Sequence, residues 1–119
     1  MTWQTAVMRR KWPEQKFVVS MAGDDIVCRW PNGEEQTLSV SRLACVHVET
    51  NDSGPWGADV WFSLRDFEDR ELSFPLGALG ERRVIDYLER LPGFEMKGMN
   101  STKRARFLCW LAPSAEDRA

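Results

Sequence analysis

The clearest alternation of hydrophobic and polar positions lies between Leu43 and Phe74. In its centre, Val60, Phe62 and Leu64 fall on one side of an extended chain, and Asp59, Trp61, Ser63 and Arg65 fall on the other. Successive side chains of a strand point to opposite faces, so this period predicts a strand with one face in a core. The flanking segments 44–50 and 71–74 alternate in the same way. Together the three segments predict an antiparallel meander.

Three further strands are predicted before the meander and one after it. Segments 17–21, 26–30 and 35–40 are rich in β-branched and aromatic residues, and turn-forming residues separate them. After Phe74 the period changes to about 3.6 residues: Val84, Ile85, Leu88 and Leu91 share one side of segment 81–91. This predicts an amphipathic helix that Pro92 and Gly93 end. Segment 104–110 is the last strand candidate.

This order of elements predicts a mainly β (α+β) fold of about six to seven strands. We expect a bent antiparallel sheet or partly open barrel, closed by the C-terminal helix, because the helix would cover strand edges. The order resembles the pleckstrin-homology-like architecture. A plain α+β sheet with the helix on one face is the alternative. We expect residues 1–14 to form a loosely held arm, 15–111 a single domain and 112–119 a flexible tail.

Composition narrows the classes of protein. The chain is 43% hydrophobic and 29% charged, with a formal net charge of −2, which argues against a general nucleic-acid binder. No run reaches the roughly 18 apolar residues of a membrane span. The basic residues 9–11 follow the first apolar residues, unlike a secretory signal, so we expect a cytoplasmic protein. The three cysteines are widely spaced and predict reduced thiols.

Several stretches resemble a family of small, uncharacterised bacterial proteins. They are GPWGADVW at 54–61, ARFLCW at 105–110 and the RWPNGE turn at 29–34, and the resemblance covers residues 24–111. It implies a compact bacterial domain. The family has no established activity, cofactor or catalytic residue, so the resemblance assigns no site. The chain departs from the family in its long N-terminal arm and in segment 95–99.

One strand carries residues with possible chemistry. Cys45, His47 and Glu49 share a face of segment 44–50, which suggests either a metal site or a small enzyme using Cys45 and His47. A closed metal site needs further ligands, and the sequence supplies none at the usual spacing. Side chains two apart on a strand project in parallel and seldom meet. We therefore predict no metal, no cofactor and no catalytic residue.

The first functional hypothesis is a non-catalytic protein-interaction domain. Its candidate contact residues are Asp52, Trp56, Asp59 and Trp61. Trp56 is either a lid over the core or an anchor for a partner, while Trp61 is expected on a solvent face. A specific version is an immunity or antitoxin protein that plugs a toxin's active site.

The second functional hypothesis is a binder of an anionic ligand or lipid headgroup. Its candidate residues are Lys103, Arg104 and Arg106. They belong to a basic stretch that begins at Lys97, in a segment with no acidic residue between Glu95 and Glu116. The competing interpretation is a solvated edge whose charges discourage strand addition.

Overall fold

The computed structural model describes residues 16–50, 60–99 and 104–113, and in these ranges the chain is mainly β. The elements are β1 (Val18–Ala22), β2 (Asp25–Arg29), β3 (Glu35–Ser39), β4 (Leu43–Thr50), β5 (Val60–Asp66), β6 (Glu71–Pro75), α1 (Glu81–Glu89) and β7 (Ala105–Leu111). Two antiparallel sheets have the orders β1-β2-β3 and β6-β5-β4-β7. The predicted fold class and the predicted strands are confirmed. The helical structure within these ranges is too short and polar to cross a membrane.

The two sheets are not closed into a barrel by a continuous ladder. Instead, the backbone N–H of Ser73 on β6 donates to Oε1 of Gln36 on β3, at 2.8 Å. On the other side, the N–H of Val19 on β1 donates to the carbonyl of Leu79, and the N–H of Leu79 donates to the carbonyl of Phe17 just before β1, both at 2.9 Å. One side chain and one bridging residue therefore join the sheets where barrel closure would need another strand pair.

The core lies between the sheets and under α1. Its fully buried side chains include Phe17, Phe62, Phe74, Ile26, Leu38, Leu64, Leu72 and Leu88. Helix α1 buries Val84, Ile85 and Leu88, the side that the sequence period predicts, and packs against β1. The helix ends at Glu89 rather than at Leu91. The N–H groups of Arg90 and Leu91 donate to the carbonyls of Tyr87 and Leu88, three residues earlier instead of four, so the α-helical pattern stops there.

The prediction that Trp61 faces solvent is wrong. Trp61 is only 3% exposed, and its ring lies edge-on to Phe17 with 5.3 Å between ring centroids. Trp30 lies 6.0 Å away in the same aromatic cluster. Phe17 precedes β1 and Trp30 follows β2, so the end of one sheet covers this face of β5. The alternation predicted that one face of β5 is exposed to solvent, but at Trp61 and Phe62 both faces of the strand are buried.

The predicted arm, residues 1–14, lies outside the described residues. Most of the predicted tail, 112–119, lies outside them as well. Ala112, its first residue, is 5% exposed, and its N–H donates to the carbonyl of Ala44 at 2.8 Å. The bonded structure therefore continues at least one residue past β7.

Candidate functional site

Three of the predicted protein-contact residues, Asp52, Trp56 and Asp59, lie outside the described residues. The ends of their segment are nevertheless fixed: Thr50 pairs with Val60 across β4 and β5, and with Ala105 on β7. The segment therefore leaves the sheet at Thr50, next to the first residue of β7, and re-enters it at Val60 on the other side of β4. The start of the predicted docking segment therefore lies beside Ala105, between the predicted anion-binding residues Arg104 and Arg106.

The face of the four-stranded sheet that carries Cys45, His47 and Glu49 is polar. Strand register places these β4 residues opposite Arg65, Ser63 and Trp61 on β5, and places Leu108 and Arg106 on β7 opposite His47 and Glu49. We call this the polar face. Its β5–β6 half is buried, since Ser63 and Ser73 are at most 1% exposed. Its β4–β7 half is open to solvent, because Arg106 and Leu108 are both exposed.

An ion-pair network holds the buried half. The Ser63 hydroxyl donates to Oε2 of Glu71 at 2.9 Å, and Nη2 of Arg65 lies 3.4 Å from the same oxygen. The Nε of Arg65 is buried without an acceptor in the described part of the chain. Arg65 and Glu71 flank the β5–β6 turn symmetrically, so pairing the two segments as a hairpin would have predicted this contact.

His47 contacts Arg106 rather than Cys45. Nη2 of Arg106 lies 3.4 Å from Nδ1 of His47. Because a guanidinium only donates, Nδ1 accepts, and the neutral imidazole carries its proton on Nε2. Burial, and secondly the positive charge of Arg106, lower the pKa of His47. Nε of Arg106 also lies 3.6 Å from Oε2 of Glu49.

Cys45 has the properties of a structural thiol. Burial raises its pKa, although the positive charges of Arg65 and Arg106 oppose the shift. A protonated thiol is a poor nucleophile and a poor metal ligand. Within the described ranges, no three His, Cys, Asp or Glu side chains come close enough to hold a metal ion. The geometry therefore gives the Cys45–His47 enzyme hypothesis no paired nucleophile and base.

A groove of mixed polar and apolar lining adjoins the open half of the polar face. It has a volume of about 300 Å³, and its lining includes Pro92, Lys97, Leu108, Trp110 and Pro113. The Trp110 indole is fixed, since its Nε1 donates to the carbonyl of Pro92 at 2.9 Å. Leu108 is 41% exposed and borders both the groove and His47. Leu108, Arg106, His47 and the groove together form what we call the β7 surface.

Sequence reasoning did not single out Leu108. Its signal was present: it lies two residues after Arg106, on the outward side of the strand, where a polar residue would be ordinary. Two cations of the basic stretch have carboxylate partners that the sequence did not predict. Glu49 neutralises Arg106, and Lys97 lies 3.9 Å from Glu95. Arg104 is exposed and has no ion-pair partner among the described residues, and Lys103 lies outside them.

The fold defines a mainly β domain of two antiparallel sheets and one helix. Comparisons with family models, with curated protein sequences and with solved structures find no match to this chain. The resemblance to a small bacterial family stays a prediction.

Proposed function

We propose that this chain is a non-catalytic protein-interaction domain that docks a partner protein on the β7 surface. The observation that supports it most is Leu108, a large apolar side chain 41% exposed between Arg106 and His47 and at the edge of a groove that Trp110 also lines. Protein interfaces typically combine an apolar centre with a polar rim. Leu108 is the proposed centre, and Arg106, His47 and Lys97 belong to the rim.

The position of the 51–59 segment supports the same surface. Its first end, at Thr50, lies beside Ala105 at the start of β7, and its second end, at Val60, lies one strand further away on β5. We propose that Asp52, Trp56 and Asp59, in the segment that follows Thr50, extend the β7 surface. A hydrogen-bonded sheet that presents an apolar anchor suits docking, because few side chains must be ordered on binding.

The narrower proposal is an immunity or antitoxin protein that blocks a toxin's active site. The carboxylates of Asp52 and Asp59 suit a toxin with a basic active site, by charge complementarity. A neighbouring gene that codes for a toxin would identify the partner. Co-expression with that toxin should then protect cells, and Trp56→Ala or Asp59→Ala should reduce protection.

A pull-down from the native cell with paired variants tests the general proposal. Leu108→Asp places a charge at the proposed centre, and Val18→Asp does the same at a residue 43% exposed on the other sheet. We expect a discrete partner to bind the wild type and Val18→Asp but not Leu108→Asp. Melting temperatures of both variants control for folding. The same partner on all three proteins, or none on the wild type, would contradict the proposal.

A further inference from the structure

A second concave surface lies between α1 and the β1–β2 turn. Met21, Gly23, Arg83, Asp86, Tyr87 and Arg90 line a groove of about 440 Å³. Its helical residues follow the spacing of one helix face. The volume falls within the range of small-molecule sites, about 300–1,000 Å³. We call it the α1 groove, and it shares no residue with the β7 surface.

The two arginines of the α1 groove differ from most cations in the described part of the chain, because neither has a carboxylate partner there. Most described cations have a carboxylate partner: Arg29, Arg42, Arg65, Arg70, Arg82, Lys97 and Arg106. Those without one in the described ranges are Lys16, Arg83, Arg90 and Arg104. Two of these four line the same groove. The groove also contains Asp86, but Nη1 of Arg82 lies 3.5 Å from its Oδ1 and offsets that charge.

The remaining lining is partly apolar. Tyr87 is half-buried, and Met21 packs against the hydrophobic core. Gly23 has no side chain to fill the groove, and a Cβ built there would meet no atom within 4 Å. The α1 groove therefore offers apolar walls next to two guanidinium groups that form no ion pair with a carboxylate of the described residues.

We propose that the α1 groove binds an organic anion. Arg83 and Arg90 hold its phosphate or carboxylate group, since planar guanidinium groups match the oxygens of both. The apolar body of the ligand packs against Tyr87 and Met21. This site is independent of partner docking on the β7 surface.

Phenyl phosphate and inorganic phosphate are suitable probes because they share an anionic group and differ in the apolar body. Each is titrated into the full-length, ¹⁵N-labelled chain. We expect phenyl phosphate to shift the backbone signals of Gly23, Arg83 and Tyr87 saturably, with a millimolar or lower Kd. Inorganic phosphate should bind several-fold more weakly. Equal affinities would overturn the role of the apolar walls, and no saturable shift with either phosphate, together with no vesicle binding, would overturn the proposal.

Two double variants with the same change in net charge separate a site from general electrostatics. Arg83→Gln/Arg90→Gln should weaken phenyl phosphate binding at least tenfold. The control, Lys16→Gln/Arg104→Gln, removes the other two unpartnered cations and should change the Kd less than twofold. Equal weakening by both variants would overturn the proposal.

Two further measurements sharpen the assignment. Asp86→Asn removes the one carboxylate of the groove and should tighten binding, whereas an unchanged or weaker affinity would contradict an anion held there. Vesicles containing phosphatidylserine distinguish the source of the anion. Binding to vesicles that Arg83→Gln/Arg90→Gln abolishes, without binding of soluble phenyl phosphate, assigns a lipid surface. Binding of phenyl phosphate in solution assigns a free organic anion.

Discussion

At His47, burial and a neighbouring charge act in the same direction. Partial burial disfavours the charged imidazolium, and the Arg106 guanidinium 3.4 Å from Nδ1 repels it. Both lower the pKa of His47. A side chain whose folded-state pKa is lowered binds its proton more readily after unfolding, so its contribution destabilises the folded state as the pH falls below about 6.5. His47 is therefore a neutral part of the proposed rim at pH 7.

This pKa can be measured without interference, because the chain has a single histidine. An NMR titration of the imidazole should give a pKa below 6.5 in the folded wild type. Arg106→Gln should raise that value by removing the charge at Nδ1, and Arg104→Gln should leave it nearly unchanged. A wild-type pKa at or above 6.5, or equal effects of the two substitutions, would show that the Arg106 contact is not formed.

Among the secondary-structure elements, the entry into α1 is the most constrained junction. Gly80 precedes the helix with a φ of +84°, in the left-handed region. A Cβ at this position would overlap the carbonyl oxygen of Val19 on β1. Gly80 therefore allows the helix to begin in close contact with the strand that it covers.

Gly33 provides a matched comparison for Gly80. It has a similar φ of +91°, but a Cβ there would meet no atom within 4 Å. Gly33→Ala should incur only the conformational cost, about 1–3 kcal/mol of unfolding free energy. Gly80→Ala should cost clearly more, because the backbone of β1 must also move. Urea unfolding of both variants measures the difference, and equal losses would contradict the close packing of α1 on β1.

The elements themselves were largely predictable from local pattern. The strands around Val46, Phe62 and Phe74 and the helix carrying Val84 and Leu88 follow periods of two and 3.6. The prediction for Trp61 was wrong because of residues outside its own strand. Its burial depends on Phe17 and Trp30, which meet it only when the two sheets pack together. Alternation assigns residues to opposite faces of a strand, but only tertiary packing decides whether a face is wet.

In the whole molecule, a bond between Gln36 and Ser73 joins β3 to β6 in place of a backbone ladder. This contact was not predictable, because it links residues 37 positions apart in sequence through a side chain. The β7 surface could not be predicted from the sequence either. Leu108, His47 and Trp110 become neighbours only through the β4–β7 register, which includes a shift between Val46 and His47.

Removal of the Gln36 acceptor should weaken the join between the sheets. In Gln36→Leu, the N–H of Ser73 loses the acceptor at 2.8 Å, and we expect a loss of about 1–3 kcal/mol in unfolding free energy. Thr37→Leu is the control, since Thr37 is the next residue of β3 and is exposed. It should change stability by less than about 0.5 kcal/mol. Equal effects in urea unfolding would mean that the Gln36 bond does not stabilise the fold.

The proposed function rests on docking at the β7 surface, and the Kd of the captured partner tests it most directly. Calorimetry on the purified wild type, Leu108→Asp and Val18→Asp compares two exposed apolar residues on different sheets. We expect Leu108→Asp to raise the Kd more than tenfold, as for a central anchor, and Val18→Asp to change it less than twofold. Unchanged affinity in Leu108→Asp, or equal losses in the two folded variants, would contradict the proposal.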